Sequence, residues 1–149
     1  MNIAQEQTQH CIDVCNSLLR GELSAVEAYS QVIHRFASEP QAGTLIHIRD
    51  EHLWAVDRLR HNVREMGGDP DTDSGAWGAL VKTLQGTANL LGENSALHVL
   101  EQGEKHGRNE YREALADDEV LAECKQMIRG DLLPRTEQHL ITLERLGNP

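Results

Sequence analysis

Three observations predict an all-α fold. Apolar residues recur in steps of three and four over long stretches, strand-like alternation is nearly absent, and aromatic residues make up only 3% of the chain. The first predicted helix covers about 9–36. Ile12, Cys15, Leu19, Val26, Ile33 and Phe36 share one face of it, and ASEPQAG, with Pro40 and Gly43, ends it. The same spacing lands on Glu22 and Tyr29. A carboxylate thus enters the apolar stripe, where it is costly unless something pairs with it.

The second predicted helix, about 44–66, places Leu45, Ile48, His52, Val56, Leu59, Val63 and Met66 along a seam of the kind that builds bundles, and it stops at GGDPDTDSG. The apolar segment GAWGALVKTLQGTANLLG follows and is expected to hold a short helix. Roughly 28 residues then separate the second and third long helices, more than adjacent antiparallel helices need, so a long crossover is predicted. The third helix, about 94–116, starts at a cap in NSALH and carries Leu97, Leu100, Glu104, Gly107, Tyr111 and Leu115 on one face. After ADDEV, a fourth helical region reaches about 146 with Leu132, Thr136, His139, Leu143 and Leu146 on one side. Pro134 is expected to kink or restart it, and Gly130 just before favours a restart.

Length and charge narrow the possible functions. At 149 residues the chain is read as one domain, 1–149, with enough core to need no disulfide. Its 14 Lys and Arg against 24 Asp and Glu give a net charge of -10, which disfavours nucleic acid and anionic membranes as partners. No apolar run is long enough for a membrane span and MNIAQEQTQHCIDV lacks the pattern of a secretory signal, so the cytoplasm is the expected compartment. Cys11 and Cys15 are one helical turn apart and Cys124 stands alone, without any C-x-x-C pair, so the three read as buried small apolar residues.

The halves of the sequence resemble each other. Gly21, Glu22 and Tyr29 align with Gly103, Glu104 and Tyr111 at one offset, and DEHL at 50–53 aligns with EQHL at 137–140 at an offset five residues larger. A duplicated helical hairpin is the simplest source of this pattern. Each Glu shares a face with its Tyr two turns on. His52 and His139 fall in the seams of helices two and four, while Asp50, Glu51, Glu137 and Gln138 are predicted to point outward. The interior is therefore expected to hold Glu22, His52, Glu104 and His139, side chains that divalent iron, manganese or zinc accepts.

Two E-x6-Y helices, a long crossover and histidines on the second and fourth helices resemble the ferritin-like superfamily. More finely, LLRGELSAVEAYSQVI, HLWAVDRLRHNVREMGGDP and DSGAWGAL resemble a bacterial family of ferritin-like proteins, domain of unknown function 2383, over about 11–146. That resemblance implies an up-down-down-up four-helix bundle, with Glu22 and Glu104 matching the superfamily's terminal carboxylate ligands and His52 and His139 its histidine ligands.

The chain also departs from the pattern. Di-iron carboxylate bundles carry Glu-x-x-His on the second and fourth helices, whereas here Arg49 and Thr136 stand three residues before the histidines. Neither can bridge two metals, so no catalytic residues are assigned and the enzyme reading is disfavoured. Two readings of the four inward residues remain: one divalent ion, iron or zinc, in rough tetrahedral geometry, or a metal-free set in which Glu–His contacts, Arg49 and the two tyrosine hydroxyls satisfy one another. The expected protein is a non-catalytic or weakly metal-binding bundle that pairs with itself, a homodimer, through an apolar helix face or the Trp77 segment. The alternatives are a di-iron oxidase or iron-storage protein, and a metal-free interaction scaffold.

Three His-x-x-x-Glu pairs, His47 with Glu51, His61 with Glu65 and His106 with Glu110, read as surface contacts along helices. Trp54 and Trp77 are expected to seal the crossover against the bundle.

Overall fold

The computed structural model describes residues 2–74 and 93–148. Helices joined by turns make up this part, and no strand occurs among the described residues. Helix α1 spans Ile3–Arg35, α2 Ala42–Glu65, α3 Glu93–Ala116, α4 Ala122–Met127 and α5 Leu133–Gly147, with a π-helical turn at Ile128–Leu132 joining the last two. Helix α1 packs on α2 and α3 on α5, and the two pairs meet mainly along α1 and α3. The predicted crossover helix, the NSALH cap and Trp77 lie outside the residues whose side chains are described.

The observed ends differ from the predicted ones for local reasons. Helix α1 starts six residues earlier than expected because Asn2 and Gln5 form a capping box, in which Asn2 Oδ1 accepts the Gln5 N–H at 2.8 Å and Gln5 Oε1 accepts the Asn2 N–H at 3.2 Å. Helix α2 ends where Gly67 takes φ +88°, a left-handed conformation suited to glycine, and the Gly68 N–H returns to the Val63 carbonyl at 3.0 Å. Gly68 also lies against α1, so that a Cβ there would stand 2.7 Å from Ile12 Cγ2.

The fourth region restarts as the proline predicts, without leaving the helix. The hydrogen-bond ladder widens to a π turn over Ile128–Leu132, and Pro134, which has no N–H to offer, sits in the first turn of α5.

Two apolar clusters fill the interior. One joins Cys15, Leu19, Val56, Leu59, Val63 and Ile128, and the other joins Val32, Phe36, Leu45, Ile48, Leu100 and Leu143. Between them, at the matching level of each long helix, lie the buried Glu22, His52, Glu104, Thr136 and His139. Close-packed apolar layers above and below restrict the rotamers of this polar layer.

Candidate functional site

Each side chain enters the polar layer because its position continues the apolar stripe of its helix: Glu22 and Tyr29 on α1, His52 on α2, Glu104 and Tyr111 on α3, His139 on α5. The structure brings together all four residues predicted to share the interior. They do not converge on one point.

His52 lies between the two carboxylates. Its Nδ1 is 2.5 Å from Glu22 Oε2 and its Nε2 is 2.6 Å from Glu104 Oε1. With an acid on each nitrogen the ring carries a proton on both. Burial alone would depress the His52 pKa, but the charges of Glu104 and Glu22 outweigh it and raise the pKa well above 6.5. Glu104 mirrors this: burial would raise its carboxyl, and the His52 charge together with His139 instead holds it down to about 2.

The tyrosines complete both acids. Tyr29 donates to Glu104 Oε1 at 2.7 Å and Tyr111 to Glu22 Oε1 at 2.5 Å. Burial, followed by the neighbouring carboxylate charge, pushes both phenols well above 10, so the hydroxyls keep their protons and remain donors.

His139 closes the layer from the fourth rod. Its Nε2 faces Glu51 Oε1 at 3.1 Å, and Glu51 Oε2 in turn receives Arg135 Nη1 at 2.8 Å. The other nitrogen, Nδ1, is 3.3 Å from Glu104 Oε1 but misaligned, and it is a buried polar atom without a hydrogen-bond partner. The two rings are 4.8 Å apart between centroids. One atom each from His52, Glu104 and His139 lies within 4.8 Å of the others, the group among the described residues able to hold a metal ion. Glu22 stands on the far nitrogen of His52, outside that group. A cavity of about 20 Å³, room for a water-sized occupant, adjoins the layer and is lined in part by Glu22, His52, Glu104, Tyr111 and Thr136.

Two expectations about neighbouring charges are corrected. Glu51, predicted to point outward, turns toward His139; one residue before His52 on a helix is a rotation of about 100°, which here faces α5 rather than solvent. Its signal in the sequence was weak, because periodicity reports one buried stripe and not the flank shared with a second helix. Arg49, predicted to neutralise the buried acids, instead lies 3.7 Å from Asp50, and the positive group between the carboxylates is His52.

Asp50 and Glu137 remain outside the layer, Glu137 being 3.6 Å from Arg112. Thr136 is buried, and its hydroxyl turns back to the Leu132 carbonyl at 3.4 Å. The three His-x-x-x-Glu pairs are the predicted one-turn contacts, at 3.5 Å for His47–Glu51, 3.6 Å for His61–Glu65 and 2.6 Å for His106–Glu110. Trp54 lies beneath Arg135, whose guanidinium carbon is 3.9 Å from the ring centroid.

The fold and the site together define an all-helical protein with an internal layer of acids, imidazoles and phenols. Within that class, residues 10–117 match the model of domain of unknown function DUF2383, and the chain belongs to this family. The matched span carries Glu22, His52 and Glu104 and ends before His139. No curated protein and no solved structure matches the chain. No helix among the described residues is long and apolar enough to cross a membrane.

Proposed function

We propose that the protein is a ferritin-like bundle, with the crossover between its second and third long helices, and that it binds one divalent metal ion, iron or zinc, without a dinuclear oxidase centre. His52 Nε2, Glu104 and His139 Nδ1 are the ligands. Glu22 keeps His52 oriented from its opposite nitrogen, and Glu51 does the same for His139, the arrangement by which carboxylates commonly tune metal-bound imidazoles. The observation that carries this reading is the orphaned His139 Nδ1, a buried nitrogen turned toward a carboxylate oxygen and a second imidazole. A bound ion would supply Lewis acidity and a fixed positive charge; the chain itself supplies the oriented ligands and two phenol donors between apolar layers.

A metal-free bundle serving as an interaction scaffold is favoured by a different observation: His52 already contacts Glu22 and Glu104 through both nitrogens and so neutralises charge without an ion. Metal analysis of protein purified without chelators separates the readings. One equivalent of iron or zinc, lost in Glu104→Gln and His139→Ala variants that retain helicity, supports the mononuclear site. Two equivalents of iron with an oxo-bridged absorption band support a di-iron oxidase, and none supports the scaffold. Self-association as a dimer in the cytoplasm belongs to the same proposal. The exposed Ile46 and Leu53, seven residues apart on α2, and Ile141 on α5 support the self-association, and sedimentation velocity measures it directly.

A further inference from the structure

A second cluster lies two turns before Glu22 on α1. Cys11, Cys15 and Cys124 are buried and free of disulfides. Although Cys124 is far from the others in sequence, its Sγ is 3.9 Å from that of Cys15. The Asn62 amide of α2 spans the pair, with Nδ2 3.2 Å from each sulfur. Cys11 is tied to the backbone instead, its sulfur accepting the Leu121 N–H at 3.0 Å and its S–H directed at the Glu119 carbonyl at 3.6 Å. A thiol used only as apolar filling needs no such donors, whereas N–H groups aimed at sulfur favour a thiolate.

We propose that Cys124 and Cys15 form a redox-active pair that a small hydroperoxide oxidises to a disulfide joining α4 to α1. The hydrogen bond shared with Cys15 is the largest influence on Cys124 and, with Asn62 and Cys11, overcomes its burial to draw the thiol below its ordinary range. Cys15 is pushed far the other way by its hydrogen bond to Cys124 and by burial, and retains its proton. Within the pair we assign Cys124 as the nucleophile and Cys15 as the resolving thiol, an order that the Cys15→Ser product reads directly.

In the first step the Cys124 thiolate attacks the outer oxygen of the hydroperoxide. An S–O bond forms, the O–O bond breaks, and the departing alkoxide or hydroxide takes up a proton, leaving a sulfenic acid. In the second step the Cys15 sulfur attacks the Cys124 sulfur. The S–S bond forms, the S–O bond breaks, and hydroxide leaves with the Cys15 proton as water. Two thiols lose two electrons and the peroxide gains them. The sulfurs must close from 3.9 Å to about 2.0 Å. Their burial limits the oxidant to a small neutral molecule that enters during local opening.

The test treats the reduced full-length chain with one equivalent of hydrogen peroxide, blocks remaining thiols after denaturation, and maps peptides by mass spectrometry. The expected product has lost two hydrogens, links the peptides containing Cys15 and Cys124, and leaves Cys11 alkylated. In Cys15→Ser the reaction is expected to stop at a Cys124 sulfenic acid trapped by dimedone, while Cys11→Ser still closes. Three intact thiols, a Cys11 linkage or over-oxidation without a link in the wild-type chain overturns the proposal, and that result does not depend on any variant folding.

Discussion

Tyr111 donates its hydroxyl to Glu22 at 2.5 Å across the bundle, and Tyr29 does the same for Glu104 at 2.7 Å. Each tyrosine serves the acid of the opposite repeat. The sequence repeat is thus a structural exchange: two hairpins bind each other by swapping a phenol for a carboxylate, and His52 lies between the acids.

Removing one of these phenols leaves a buried carboxylate oxygen short of a donor. Tyr111→Phe and Tyr29→Phe are each expected to cost about 1–3 kcal/mol in urea unfolding. Values near zero for both would show that the exchange contributes nothing to stability.

His52 and Glu22 are expected to respond unequally to substitution. In metal-free buffer His52→Leu removes the one positive group between two acids and is expected to cost about 3–5 kcal/mol. Glu22→Gln keeps an acceptor oxygen for Tyr111 and turns an amide N–H toward His52 Nδ1, which gives up its proton while Nε2 stays paired with Glu104, so its cost is expected to stay within about 1 kcal/mol. Thermal melts of the two variants check the order. Equal losses would contradict an imidazolium placed between paired acids.

Metal binding at His52 Nε2 has to displace the proton shared with Glu104. Because the His52 pKa lies well above 6.5, that proton is present at neutral pH, and apparent affinity is expected to increase as pH rises toward the folded value. Zinc titration calorimetry in two buffers of different ionisation enthalpy reads the released proton. Heats that are identical in both buffers would count against His52 as a ligand.

His10 at the start of the bundle provides a pH effect independent of the site. Its Nε2 is 2.6 Å from Asp117 Oδ2, and that hydrogen bond, more than burial opposes it, raises the His10 pKa above 6.5. The linked stability is therefore fully present below 6.5 and is lost as pH rises through the higher folded value. An NMR titration of His10 is expected to move back toward 6.5 in Asp117→Asn.

The close approach of Gly68 to α1 predicts that Gly68→Ala, with its Cβ 2.7 Å from Ile12 Cγ2, loses about 1–3 kcal/mol by overpacking. Ile12→Ala in the same chain is expected to recover part of that loss. Additive losses would place the strain elsewhere.

Much of this was legible from periodicity because helix faces repeat. Glu22, His52, Glu104 and His139 were placed inside by the spacing of Leu, Ile and Val around them, and the Glu–Tyr repeat marked the two halves. Less local facts were not legible. The approach of Cys124 to Cys15 depends on how α4 packs against α1, which no one-dimensional pattern encodes. The inward turn of Glu51 depends on the flank that α2 shares with α5. That Glu22 and Glu104 occupy opposite nitrogens of one ring depends on side-chain angles, although both acids lie on the expected stripe. The early start of α1 was readable in principle from Asn2 and Gln5, whose capping box precedes the first apolar step.

The proposed site has His52, Glu104 and His139 hold a single ion. An anomalous-difference map from a crystal grown with zinc tests it most directly. One peak per chain is expected, set between His52 Nε2, Glu104 and His139 Nδ1. An ion-loaded crystal with no peak there, or with its peak at the surface His-x-x-x-Glu pairs, would contradict it.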